Sequence, residues 1–336
     1  IMGFVGNLGY VVVCILGASM AAGGSMTIGG IQAFIQYLRS FTQPITQMAS
    51  ISSQVQRTMA AAERIFNFLD EPEIVEKTPK YTVENSNIRG DIRFDHVCFS
   101  YEDTDETVIH DFSADVKAGQ KIAIVGPTGA GKTTMVKLLM RFHDLKSGRI
   151  CLDGKDITEF ARGDLRKEFG MVLQDTWLYS GTIMENIRYG RLDATDEEVI
   201  QAAKAAQVDH FVRTLPDGYN TILNEEATNV SQGQKQLLTI ARAILSDSRI
   251  MILDEATSSV DTRTELSIQT AMDNLMRGRT SFIIAHRLST IRNADLILCM
   301  KDGDIVEQGT HEELLAKNGF YANLYNSQFE HAEESA

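Results

Sequence analysis

The residues best suited to chemistry begin at Gly126. The run Gly126-Pro127-Thr128-Gly129-Ala130-Gly131-Lys132-Thr133-Thr134 fits the spacing G-x-x-x-x-G-K-[ST]. Glycines at those positions let successive backbone N–H groups curl around phosphate oxygens, and a helix starting there adds its favourable dipole. Lys132 supplies a point charge for the β- and γ-phosphates of a nucleoside triphosphate, and the Thr133 hydroxyl is a ligand for Mg²⁺. A second pair of groups, Asp254-Glu255, ends an apolar run. Successive strand side chains point to opposite faces, so the two acids take different roles. Asp254 suits holding Mg²⁺ through water, and Glu255 suits polarising a water for in-line attack on the γ-phosphate. An Asp-Glu pair alone is a weak signal; behind a phosphate loop it is a strong one. A nucleoside triphosphate and Mg²⁺ are the expected ligands of such a loop.

These groups need elements to hold them. The apolar stretch 121–125 reads as a buried strand feeding the loop, with a helix over 135–142 behind it, and 249–253 reads as the strand that presents the acids. Ser231 stands just before a long periodic run and suits the N-cap of a helix. Of 336 residues, 43% are hydrophobic and 23% charged, which excludes a disordered or fibrous chain. Basic side chains number 32 against 45 acidic, and the net charge of −13 opposes a nucleic-acid partner. Cys14, Cys98, Cys151 and Cys299 are too dispersed for a disulfide framework or zinc site and read as reduced thiols.

Charge also marks where the chain changes solvent. No Asp, Glu, Lys, Arg or His precedes Arg39, a stretch longer than the roughly 20 residues that span a bilayer as a helix. Residues 3–22 supply one candidate span, whose small side chains suit close helix packing. Gly23, Gly24 and Ser25 break it, and a second helix runs over about 30–56. Gln32, Gln36, Arg39, Gln43, Gln47, Ser50 and Gln54 share one face of it, opposite Phe34, Leu38, Phe41, Ile45 and Met48. That polar stripe lines a substrate pathway or glues helices together, the two readings being equal in weight. Pro44 is expected to kink the helix. An amphipathic continuation over 53–69 carries Arg57, Glu63 and Arg64, placing this end on the cytoplasmic side. The expected organisation is a partial transmembrane domain over 1–70, a linker over 71–90, a globular unit over 91–330 and a tail over 331–336. The opening Ile1-Met2 reads as the start of a fragment.

One segment narrows the class. Val230-Ser231-Gln232-Gly233-Gln234 resembles the signature sequence of ATP-binding cassette (ABC) proteins. The resemblance extends along the whole chain, to the last two membrane helices and the nucleotide-binding domain of an exporter half-transporter. The implied fold is α/β: a P-loop NTPase cassette, with a mixed sheet, helices and a helical signature subdomain, preceded by two transmembrane α-helices. It implies an ATPase that couples cassette dimerisation to export of a hydrophobic or amphipathic substrate, a multidrug or lipid cargo, across the plasma membrane. The cassette would lie on the cytoplasmic side, with membrane lipid as a further partner. Tyr101 resembles the aromatic that stacks on adenine; local strand packing is the alternative. Gln174 resembles the glutamine that touches Mg²⁺ and the lytic water, and Asp175 to Tyr179, with Trp177, would receive a membrane-domain helix. Asp261 matches a loop that crosses the dimer interface, and His286 matches the switch histidine at the γ-phosphate. Ser231, Gln232, Gly233 and Gln234 would close on ATP held by a second cassette. Val230 and Gln232 stand where the family most often has Leu and Gly, and Asn224-Glu225-Glu226-Ala227 replaces a glycine-containing stretch. Those departures resemble one subunit of paired bacterial exporters, which favours a heterodimer over a homodimer. The rival readings are a soluble cassette ATPase, a regulatory cassette protein that gates without turnover, and a peptide exporter.

Overall fold

A computed structural model of the chain describes residues 2–71, 73, 78–81, 88–101, 106–173, 176–224, 229–254, 261–285 and 288–333. The chain divides into two compact units, Ile1–Val75 and Glu76–Ala336. The first is a pair of helices, α1 (Met2–Ala22) and α2 (Ile28–Leu69). Gly24, at φ +71°, supplies the left-handed residue that the turn between them requires. Thr27 caps α2, its hydroxyl accepting from Gly30 N at 3.2 Å. The small residues of α1 let α2 approach: a Cβ on Gly17 would lie 3.0 Å from Ile31 Cγ1, and one on Gly9 would lie 3.5 Å from Leu38 Cδ2. Arg39 sits over the Tyr10 ring at 5.6 Å.

The segments over 30–56 and 53–69 are one helix of 42 residues that runs through Pro44. Proline removes a single ladder donor, and the Thr42 hydroxyl, donating to Leu38 O at 2.9 Å, adds a local bond beside it. Among the described residues, no helix is long and apolar enough to cross a membrane. The glutamine stripe and Arg39 dilute the hydropathy of α2, and the side chains of α1 are described only from Gly6 onward. The pair nevertheless carries many exposed large apolar side chains, Leu16, Tyr37, Phe41 and Met48 among them.

The second unit is built on a six-stranded sheet. Its strands are β3 (Lys121–Val125), β6 (Phe169–Val172), β9 (Ile250–Asp254), β10 (Thr280–Ile284), β11 (Leu296–Lys301) and β12 (Asp304–Gly309), in the order β12-β11-β3-β10-β9-β6. All neighbours pair in parallel except β11 with β12. Alternate residues feed two cores: Ala123, Val125, Met251, Leu253 and Ile283 on one face, Ile122, Ile124, Ile250, Ile252, Phe282 and Ile284 on the other. That is why these strands read as continuous apolar runs. An antiparallel sheet, β1 (Ile92–Ser100), β2 (Thr107–Val116), β4 (Ser147–Leu152) and β5 (Lys155–Asp156), is ordered β2-β1-β4-β5, and β7 (Gly181–Thr182) pairs with β8 (Ile222–Leu223) as a separate antiparallel ribbon. Phe94, Val97, Phe99, Ile109, Phe112 and Ile150 of the four-stranded sheet complete the second core. The first core is closed by the helices Ile183–Arg188, Asp196–Ala205, Asp209–Thr214 and Gln232–Ser246. The sequence stretch 78–81 docks on a turn: Lys80 N donates to Glu159 O at 2.9 Å, and the Tyr81 ring tilts against Phe160 at 5.7 Å.

Candidate nucleotide site

Parallel register determines which loops meet. Strand β10 lies between β3 and β9, with Ile284 opposite both Ile124 and Asp254. The loop after Val125, the Asp254 carboxylate and the Ile284-Ala285 terminus therefore leave the sheet at one edge, where open α/β sheets hold ligands. The helix behind the loop, α3, spans Lys132–Leu139. It starts three residues before the predicted 135, so Lys132, Thr133 and Thr134 form its first turn, with Gly131 as N-cap at φ +94°. That places their unpaired N–H groups and the positive end of the dipole at the loop.

The loop is a cradle that glycine alone permits. A Cβ on Gly126, at φ +154°, would collide with the Met300 carbonyl; one on Gly131 would lie 2.8 Å from Ile109 Cδ1. A cleft of about 310 Å³ is lined by Thr128, Gly129, Ala130, Gly131, Lys132, Thr133, Thr134 and Asp254, with Val108 and Ile284. The Lys132 ammonium donates to Gly126 O at 2.6 Å and Pro127 O at 2.9 Å, which brings its charge to the mouth of the loop. Burial pushes this ammonium below its ordinary pKa, and Asp254 opposes the shift. Thr133 is exposed and Asp254 half-buried. Among the described residues, no group of three or more His, Cys, Asp or Glu converges to hold a metal. One carboxylate and one hydroxyl suit Mg²⁺, a hard cation that completes its octahedron with phosphate oxygens and water.

Tyr101 is described at the end of β1. Its hydroxyl is 3.2 Å from Thr134 Oγ1, and its ring meets Phe99 at 4.8 Å and His143 at 5.2 Å, both edge to face. The local packing and a place beside the loop are thus combined in one residue. Sequence reading gave His143 no role, because its partners lie far away in the chain.

Helix Gln232–Ser246 begins with the expected cap. Ser231 Oγ accepts from Gln234 N at 3.3 Å while Gln234 Oε1 accepts from Ser231 N at 2.8 Å, a reciprocal box. Gly233 is buried against the core, and Gln232 is exposed, its amide donating to Thr176 Oγ1 at 3.1 Å. Asp261 caps the helix Thr262–Met276, accepting from Thr264 N at 2.8 Å, and that bond foremost holds its carboxyl below the usual range. Gln174, Glu255 and His286, the three expected catalytic residues, lie outside the described residues, as does Asp175.

Two further residues escaped sequence reading. Arg242 donates to Asn186 O at 2.9 Å and Trp177 O at 3.1 Å, and lies 5.2 Å over the Tyr189 ring. Asn186 in turn accepts from Tyr179 N at 3.0 Å and donates to Tyr179 O at 3.0 Å. Together they bind the segment 177–179 to the signature helix. An arginine after an apolar run gave no signal, since its partners are backbone groups brought in by the fold.

A glycine-built loop ahead of a helix, a strand-end carboxylate on the same sheet edge and a separately capped glycine-containing helix define a P-loop nucleotide-binding cassette. Residues 109–258 match the family model described as ABC transporter. Over 321 residues the chain is 56% identical to the fatty acid ABC transporter ATP-binding/permease protein of Mycobacterium bovis, covering 96% of this chain and 50% of that protein. It is 40% identical over 329 residues to the ATP-dependent lipid A-core flippase of Syntrophus aciditrophicus, covering 98% and 54%. The solved structure of a bacterial Atm1-family ABC exporter with ATP bound matches with a TM-score of 0.72 at 36% identity, over 98% of this chain and 58% of that one. The chain belongs to the ABC transporter family. It spans about half the length of the curated relatives it matches.

Proposed function

We propose that this chain is the ATP-binding and ATP-hydrolysing part of an exporter half-transporter, paired with a second half, a cousin rather than a copy. The observation that carries the reading is the shared edge of the parallel sheet, where residues Thr128 to Thr134 of the loop and Asp254 line one cleft. In this reading the loop N–H groups and Lys132 bind and orient the β- and γ-phosphates, and Thr133 and Asp254 would hold Mg²⁺, which would neutralise charge on the phosphate oxygens. Glu255 accepts the proton of the attacking water, Gln174 contacts Mg²⁺ and that water, and His286 contacts the γ-phosphate. Tyr101 stacks on adenine. The signature Ser231–Gln234 and the Asp261 loop face the nucleotide held by the partner, so closure of two cassettes precedes hydrolysis, and product release reopens them.

The exposed apolar side chains of α1 and α2 support a place among other helices and lipid. The organisation proposed is 1–70 in the membrane domain, 71–90 as linker and 91–330 as cassette on the cytoplasmic side. The fatty acid transporter relative supports a long-chain lipid or similar amphipathic cargo. The test is ATP turnover and labelled fatty-acid transport by the full-length protein with its partner in proteoliposomes. Mg²⁺-dependent ATP hydrolysis that is lost in Glu255→Gln, together with cargo movement, is the expected result. A water-soluble monomer that hydrolyses ATP without a partner would refute it.

A further inference from the structure

Gln232, inside the signature segment, has a side-chain contact within its own chain. We infer that Gln232 is a positioning residue that ties the signature helix to the loop following Gln174, so that displacement of that loop is passed to the signature. The inference rests on the proposed reading of the signature as a nucleotide-facing element.

Gln232 is the first residue of the helix Gln232–Ser246, exposed, and its amide nitrogen donates to Thr176 Oγ1 across 56 residues of sequence. A glycine at this position would have no group to make that bond. Arg242, further along the same helix, holds the next residue through Trp177 O. Two successive residues of the loop, Thr176 and Trp177, are thus bound to one rigid helix at separated points. Asn186 fixes Tyr179 from another helix, on both its N–H and its C=O. The capping box holds the Gln232 backbone, because Ser231 and Gln234 flank it with reciprocal bonds. A pull on Thr176 therefore reaches the Ser231 cap through one side chain. Trp177 is 61% exposed beside this contact, which leaves the segment open to an external load.

The probe is Trp177, the single tryptophan of the chain. Iodide quenching and anisotropy of its emission are measured on the 336-residue chain in detergent, for wild type, Gln232→Ala, Thr176→Val, Thr176→Ser and the Gln232→Ala/Thr176→Val double variant. Both disrupting singles are expected to raise quenching and lower anisotropy equally, the double variant to add nothing, and Thr176→Ser to match wild type. In the full-length exporter, Thr176→Val is expected to lower kcat about threefold to tenfold, the range of one net hydrogen bond, at unchanged KM for ATP. Additive effects in the double variant, or serine as damaging as valine, would overturn the inference. So would wild-type quenching in both singles. Absence of ATP turnover in wild type would instead strike the proposed function, while the emission still decides whether the tie exists.

Discussion

Gly131→Ala isolates what the phosphate loop demands of its backbone. Gly131 sits at φ +94°, where an L-residue is strained by about 1–2 kcal/mol. Its new Cβ would also lie 2.8 Å from Ile109 Cδ1, in a core position with no exposure, and 3.4 Å from Met300 Cε. Overpacking of that kind costs about 1–3 kcal/mol, so the total is about 2–5 kcal/mol. For a unit of this size that corresponds to a midpoint lowered by about 5–15 °C. The two parts can be separated, because Ile109→Val removes the colliding Cδ1 and leaves the dihedral strain. Ile109→Val alone costs about 0.5–1.5 kcal/mol. In the Gly131→Ala/Ile109→Val double variant the steric part vanishes, giving a favourable coupling of about 1–3 kcal/mol. Urea unfolding, followed by circular dichroism, measures all four corners of the cycle, with nucleotide affinity read in parallel. Strict additivity would refute the steric account, and an undiminished affinity in Gly131→Ala would refute the loop geometry as its cause.

Other outcomes follow from the same contacts. On the proposed reading, Lys132→Ala removes a charge-assisted phosphate donor worth about 1.5–3 kcal/mol, so ATP affinity falls about tenfold to a hundredfold by equilibrium binding. Thr280→Val keeps the volume of a fully buried side chain but orphans Gly90 O, its acceptor at 2.8 Å, and Gly119 N, its donor at 3.0 Å. It should destabilise the cassette by about 2–5 kcal/mol in urea unfolding, with nucleotide contacts untouched. Glu185 and Glu198 are held below their ordinary value of 4.5, foremost by the backbone N–H groups of Thr182 and Thr195. A depressed folded pKa stabilises above the unfolded value and the gain is lost as pH falls through the folded one. The helices Ile183–Arg188 and Asp196–Ala205 are therefore expected to lose hydrogen-exchange protection as pH drops below about 4.5, with a shallower pH slope in Glu185→Gln/Glu198→Gln.

The cassette was legible because its strands are buried on both faces. Residues 121–125 and 250–253 carry no period-2 polarity to confuse with anything else, and both runs end at residues that do chemistry. Ser231 was legible as a cap by its residue type ahead of a helical run. The contacts that join elements were silent. Thr176, Asn186 and Arg242 use backbone and hydroxyl partners set by tertiary placement, and such partners leave no spacing in the chain. His143 is silent for the same reason. The second helix was legible as a stripe with an amphipathic continuation, and the structure joins both into one helix of 42 residues that includes Pro44.

That helix has a mechanical consequence. At 1.5 Å per residue its 42 residues reach ~63 Å, about twice the thickness of a bilayer's oily interior. Such a strut works as a lever: leaning it by about 10° sweeps one tip through ~11 Å relative to the other. A modest lean at the Thr27 tip is thus magnified on arrival at Leu69, and Pro44 marks the place where stiffening or softening the strut would change its gearing.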